Sequence, residues 1–135
     1  MTIQLESKDL TNAQQMEVAV NGPDGATHLI LCTGIANLRS YSHESCTFFV
    51  GPHLSRRQFV GAIASGALST IQSCDNSSAV ADAEGEMSAK VMAVHAMYDE
   101  ESGRVKVSTE ILCSSAMTKL AISYNVSILA ELPIY

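Results

Sequence analysis

SRRQFVGAIASGALSTIQSC, residues 55–74, decides how the chain is read, because no other segment shows helical spacing. Gln58, Gly61, Ser65, Ser69 and Gln72 recur three and four apart and form a polar or small stripe. Phe59, Ile63, Ala67 and Ile71 fall opposite, flanked by Val60, Ala64 and Leu68, as an amphipathic helix requires. The segment also carries a start signal. Ser55 and Gln58 fit the S-x-x-Q capping box, in which each side chain satisfies an orphan amide at the other's position. Gly51 and Pro52 punctuate the chain before it, and Asp75 and Asn76 suit an exit into loop. The spacing predicts one principal helix over 55–74. Gly61 and Gly66 then need a reason, since a glycine inside a helix costs about 0.5–1 kcal/mol relative to alanine. Small residues let backbones approach, so the expected helix lies tightly on a sheet or against its own copy.

The same residues resemble a twin-arginine export signal with a lipoprotein-type cysteine, on the strength of "SRRQF" and "IQSC". Such a signal stands at an N-terminus. Here it follows a stretch with hairpin patterning and precedes the clearest strands. Its apolar part, Phe59 to Ile71, also falls short of the ~20 residues that a membrane helix needs. The amphipathic helix is the better reading. The start, "MTIQLESKDL", lacks the basic and apolar regions of a secretory signal, so the expected compartment is the cytoplasm, without membrane association.

Around this segment the pattern is that of strands. Val105, Val107, Thr109 and Ile111 alternate with Lys106, Ser108 and Glu110, a half-buried strand of period two. Leu120, Ile122, Tyr124, Val126, Ile128 and Ala130 alternate in the same way. Residues 89–98, "AKVMAVHAMY", are apolar on both faces and fit a central strand or a helix. "DEESGR", with Gly103 free to take positive φ, joins them to the next strand as a hairpin. Upstream, Met16, Val18 and Val20, the turn residues "NGPDG" and the run "THLILCTGI" read as a second hairpin, and "CTFFV" as a short strand. "DNSSAVADAEGE", residues 75–86, reads as an exposed acidic loop.

Composition narrows the function. The 135 residues suit a single domain, and 47% apolar with 16% charged residues is globular. Net charge is −6 and the eight Lys and Arg are scattered, which leaves no basic stripe for nucleic acid. Cys32, Cys46, Cys74 and Cys113 make no CxxC pair, so a reduced protein without structural zinc is expected. No phosphate-binding glycine loop, dinucleotide fingerprint or nucleophile elbow occurs, and no cofactor is expected.

The site candidates are few. Arg56 and Arg57 would meet the positive end of the predicted helix's dipole, an unfavourable placement unless an anion joins them. With His53 and Ser55 they form a candidate anion site at a helix start. His43, Glu44, Cys46 and His53 offer metal-ligating atoms, but their spacing lacks the close pairs of structural sites. His95, in an apolar run, is a candidate general base with Tyr98 or Glu110 as its orienting partner, set against a plain core role.

These readings add up to an α+β fold. An antiparallel sheet of five to six strands carries the 55–74 helix on one face, in the order strands, helix, strands. One helix cannot cover both faces of that sheet, and the surplus apolar face predicts a homo-oligomer. The expected function is a small non-catalytic binding or assembly protein, with itself, another protein or an anionic small molecule as partner. The alternative is a small enzyme of hot-dog-like shape acting on an anionic substrate such as an acyl thioester at a subunit interface, an analogy of element order alone.

Overall fold

The computed structural model describes residues 2–20, 27–73 and 89–131, and nearly all of them are strand. In chain order these are β1 (Thr2–Gln4), β2 (Leu10–Ala19), β3 (Thr27–Val50), β4 (Phe59–Ser73), β5 (Ala89–Asp99) and β6 (Arg104–Glu131), with one 3-10 turn at Ser7–Asp9. The expected α+β arrangement is overturned, for no α-helix occurs among the described residues. The acidic loop expected at 75–86 and the "NGPDG" turn lie outside the described residues.

The segment read as the principal helix is β4. It pairs antiparallel with β6 from Phe59↔Ala130 to Ser73↔Thr118. Its small residues explain the error. Ala, Gly and Ser fill both a 3.6-residue and a two-residue period, so spacing alone does not separate them. In the strand, Ala62, Ala64, Gly66 and Leu68 face inward and are half-buried, while Ile63, Ser65, Ala67 and Ser69 are exposed. The β-branched Val60, Ile63, Thr70 and Ile71 and the glycine cost favour the extended form. Gly66 does serve close approach, but of sheet on sheet. A Cβ there would stand 3.3 Å from Val94 Cγ2 on β5.

β3 and β6 organise the rest. β3 has 24 residues and β6 has 28, and they pair antiparallel from Thr27↔Glu131 to Val50↔Val105. A straight strand of that length would span about 80 Å. Yet a Cβ on Gly51, at the end of β3, would lie 2.7 Å from Ile128 and 3.8 Å from Cys32. The ribbon is therefore doubled over. Its register shifts at Ser40/Tyr41 and Tyr41/His43, where the chain crosses between layers. The first layer has the order β2-β3-β6-β4, and the second has β1-β3-β6-β5, with β3 and β6 contributing one half to each. β1 is the one parallel partner, from Thr2↔Ser45 to Gln4↔Thr47.

The two-residue periods read in the sequence define the core. Ile30, Cys32, Ala36 and Leu38 pair with Ile128, Val126, Ile122 and Leu120 in the first layer. Cys46, Phe48 and Val50 pair with Thr109, Val107 and Val105 in the second. Residues 89–98 are strand, with Val94, Ala96 and Tyr98 packed against the core and Met92, His95 and Met97 exposed. The layers meet at Phe48 and Tyr124, whose ring centroids are 4.9 Å apart. Tyr124 lies across Gly34, its cross-strand partner. A Cβ on Gly34 would fall on the tyrosine hydroxyl and 2.7 Å from Cζ.

Among the described residues no helix is long and apolar enough to cross a membrane. The Gly34–Tyr124 contact supplies a prediction. Gly34→Ala should cost about 1–3 kcal/mol in urea unfolding, as overpacking does. Combined with Tyr124→Phe, which removes the nearest clashing atom, it should cost less than the sum of the two single changes. Strict additivity would mean that the ring does not sit over the glycine.

Candidate functional site

The expected anion site lies in the segment between β3 and β4. Ser55 and Gln58 form the reciprocal bonds that their spacing implied: Ser55 N–H donates to Gln58 Oε1 at 2.8 Å and Gln58 N–H to Ser55 Oγ at 3.3 Å. They close a single turn rather than a helix. The Phe59 amide is taken by Ser55 O at 3.2 Å, and β4 begins there. The premise of a helix dipole falls with the helix, and an anion here would rest on the arginine side chains.

His53, Ser55 and Arg56 sit beside the turn between β5 and β6. Leu54 N–H donates to Gly103 O at 2.7 Å, and Tyr98 Oη–H donates to Leu54 O at 2.7 Å. His53 Nδ1 donates to Ser102 O at 3.1 Å. Arg56 stands 5.6 Å from the Tyr98 ring centroid and 3.8 Å from Glu100. Both partners are largely exposed, so this pair contributes at most about 1 kcal/mol. Arg57 is exposed and makes no ion pair among the described residues. Two of the four candidates, His53 and Arg56, thus belong with Leu54 to a latch that closes one end of the two layers.

The side chains of His43 and Glu44 lie outside the described residues, and the other candidates separate. Cys46 is fully buried and lies 2.7 Å from Thr109 Oγ1, while His53 is exposed on its loop. No cluster of three metal-ligating side chains occurs among the described residues. His95 is exposed, on the outer face of β5 opposite Ser108, rather than desolvated. Burial pushes the Cys32 and Cys46 thiols up, which keeps both protonated and unreactive at neutral pH.

Two features were missed. One is the outer face of the first layer. Its cross-strand rows read Val18–Leu29–Leu129–Gly61, Met16–Leu31–Ser127–Ile63, Gln14–Thr33–Asn125–Ser65 and Thr11–Ile35–Ser123–Ala67. No ionisable side chain stands in them. Met16 is 61% and Ile63 76% exposed.

The other is a cleft of ≈ 490 Å³ between β2 and the β1 end of the second layer, lined in part by Leu5, Ala13, Gln15, Cys32, Arg104 and Tyr124. It opens because β2 carries a bulge between Thr11 and Gln14, with Asn12 at φ 54, and presents no large apolar residue inward beyond Leu10. The isolated Gly34 within "THLILCTGI" was the available signal, since a glycine in a strand marks close approach by another group.

The latch carries a pH signature. Ser102 Oγ and its backbone N–H hold the Asp99 carboxyl below the usual range, the amide at 2.9 Å. A carboxyl depressed on folding stabilises at neutral pH and loses that contribution as pH falls through the folded value. The stability gap between wild type and Asp99→Ala, read from urea midpoints, should therefore shrink as pH drops through the carboxylate range; a constant gap contradicts the assignment. Compared with protein-family models, curated proteins and solved structures, the chain matches none.

Proposed function

We propose that this chain is a small non-catalytic assembly protein of the cytoplasm that works as a homo-oligomer, joined through the outer face of the first layer. The observation that carries the reading is the charge-free face itself. Four strands about 4.8 Å apart and four cross-strand rows about 6.8 Å apart give a footprint of roughly 500 Å². That is well over half of the ~800 Å² per partner of a standard interface.

The occupant that fits best is a second copy. The protein carries a net charge of −6, and a neutral shared surface keeps like charges from being pressed into contact. The four charge-free rows avoid like-charge contacts, and they offer no complementarity to a basic partner. The apolar half, Met16, Val18, Leu29, Leu31, Leu129 and Ile63, supplies the driving force. The adjacent rows of Thr, Ser, Asn and Ala are small enough for a second sheet to lie flat on them. An enzyme of hot-dog-like shape required a helix cradled by the sheet, and the described residues contain none.

Sedimentation equilibrium tests this directly. The wild type should associate at micromolar concentration. Ile63→Glu, placed on the surface where it leaves the core intact, should give a folded monomer. A wild type that stays monomeric, or an Ile63→Glu variant that associates as well as the wild type, removes the proposal.

A further inference from the structure

We propose that the cleft between β2 and the β1 end of the second layer binds a small carboxylate with an apolar tail, its headgroup held by Arg104 and the Tyr124 hydroxyl. The volume, ≈ 490 Å³, falls within the range of small-molecule sites.

Two unused groups converge there. Arg104 is half-buried, and its Nε donates to Gly51 O at 2.9 Å, which fixes the guanidinium at the wall of the cleft. Its remaining donors have no acceptor among the described residues, and a planar guanidinium matches a carboxylate. Tyr124 is only 5% exposed and lines the same cleft. Its hydroxyl, carried across Gly34 toward the β2 bulge, has no hydrogen-bond partner among the described residues. The hydroxyl is open to the cleft, where it can donate to a ligand oxygen.

The ligand's character follows from the rest of the lining. Leu5, Leu10 and Val50 offer an apolar wall for a tail, and Gln15 adds a polar amide. One cation, with Glu6 also on the lining, suits a monoanion and disfavours a doubly charged phosphate. Gln14 is shared between the cleft lining and an outer-face row, and the titration reads ligand binding separately from oligomeric state.

Calorimetric titration of the full chain with decanoate below its micelle threshold tests the assignment, with decanol and inorganic phosphate as comparison probes. Decanoate should bind the wild type, and decanol and phosphate far more weakly. Arg104→Gln should weaken decanoate binding roughly tenfold to a hundredfold, and Tyr124→Phe about three- to tenfold. Ala13→Trp fills the cleft while leaving both headgroup contacts in place, and should abolish binding. An unchanged thermal midpoint in each variant excludes unfolding as the cause. Absence of decanoate binding to the wild type overturns the proposal. So does decanol or phosphate binding as tightly as decanoate, or binding that survives Ala13→Trp.

Discussion

The antiparallel pairing of β3 with β6 runs from Thr27↔Glu131 to Val50↔Val105, and each of the other four strands attaches to one of these two. β2 and β1 hang on the two halves of β3, and β4 and β5 on the two halves of β6. A flat ribbon of this length would leave its apolar rows in water. Doubling it over sets Ile30, Val126 and Ile128 of one layer against Phe48, Val105 and Val107 of the other, and all are at most 1% exposed. Burial on that scale is what bends the ribbon, and the register shifts near Ser40 to His43 permit it.

This architecture assigns different chemistry to its surfaces. The inner faces are consumed by the core, except beneath β2, where Ala13 and Gln15 leave room and Tyr124 and Arg104 reach the cleft. The end between β3 and β4 is closed by the latch of Leu54, His53 and Arg56 on the β5–β6 turn. The outer face of the first layer keeps four central rows of apolar and small residues without charge, with Glu131 on the row beyond Leu129. Of the three, the outer face is the broad one, suited to another folded chain, and the cleft has the volume of a small-molecule site. The latch spends its polar groups on itself.

Much of the strand layout was legible because large apolar residues report a two-residue period plainly. Val105 to Ile111 and Leu120 to Ala130 alternate as their burial does, and Gly103 takes the positive φ, 72°, that its hairpin required. Residues 59–73 were illegible for the converse reason. With alanine, glycine and serine at most positions, spacing carries little information, and the genuine capping pair of Ser55 and Gln58 pointed to a helix that ends after one turn. The candidate site was half legible. Local sequence placed Arg56 beside a capping pair, but not against Glu100, since that contact depends on the β5–β6 turn reaching the loop. The cleft was hidden because its members, Leu5, Ala13, Cys32, Arg104 and Tyr124, come together only when the ribbon doubles over.

That doubling is the central claim, and a nuclear Overhauser experiment between aromatic rings tests it most directly. The chain has three Phe, four Tyr and no Trp, so the ring signals are few enough to assign. Phe48 and Tyr124 belong to opposite layers and are far apart along any straight ribbon, yet their centroids lie 4.9 Å apart. A clear cross-peak between the two rings is the expected result, abolished by Phe48→Leu. Assigned Phe48 and Tyr124 rings with no cross-peak, in a chain whose β3–β6 amides still pair, would contradict the two-layer fold and the cleft with it.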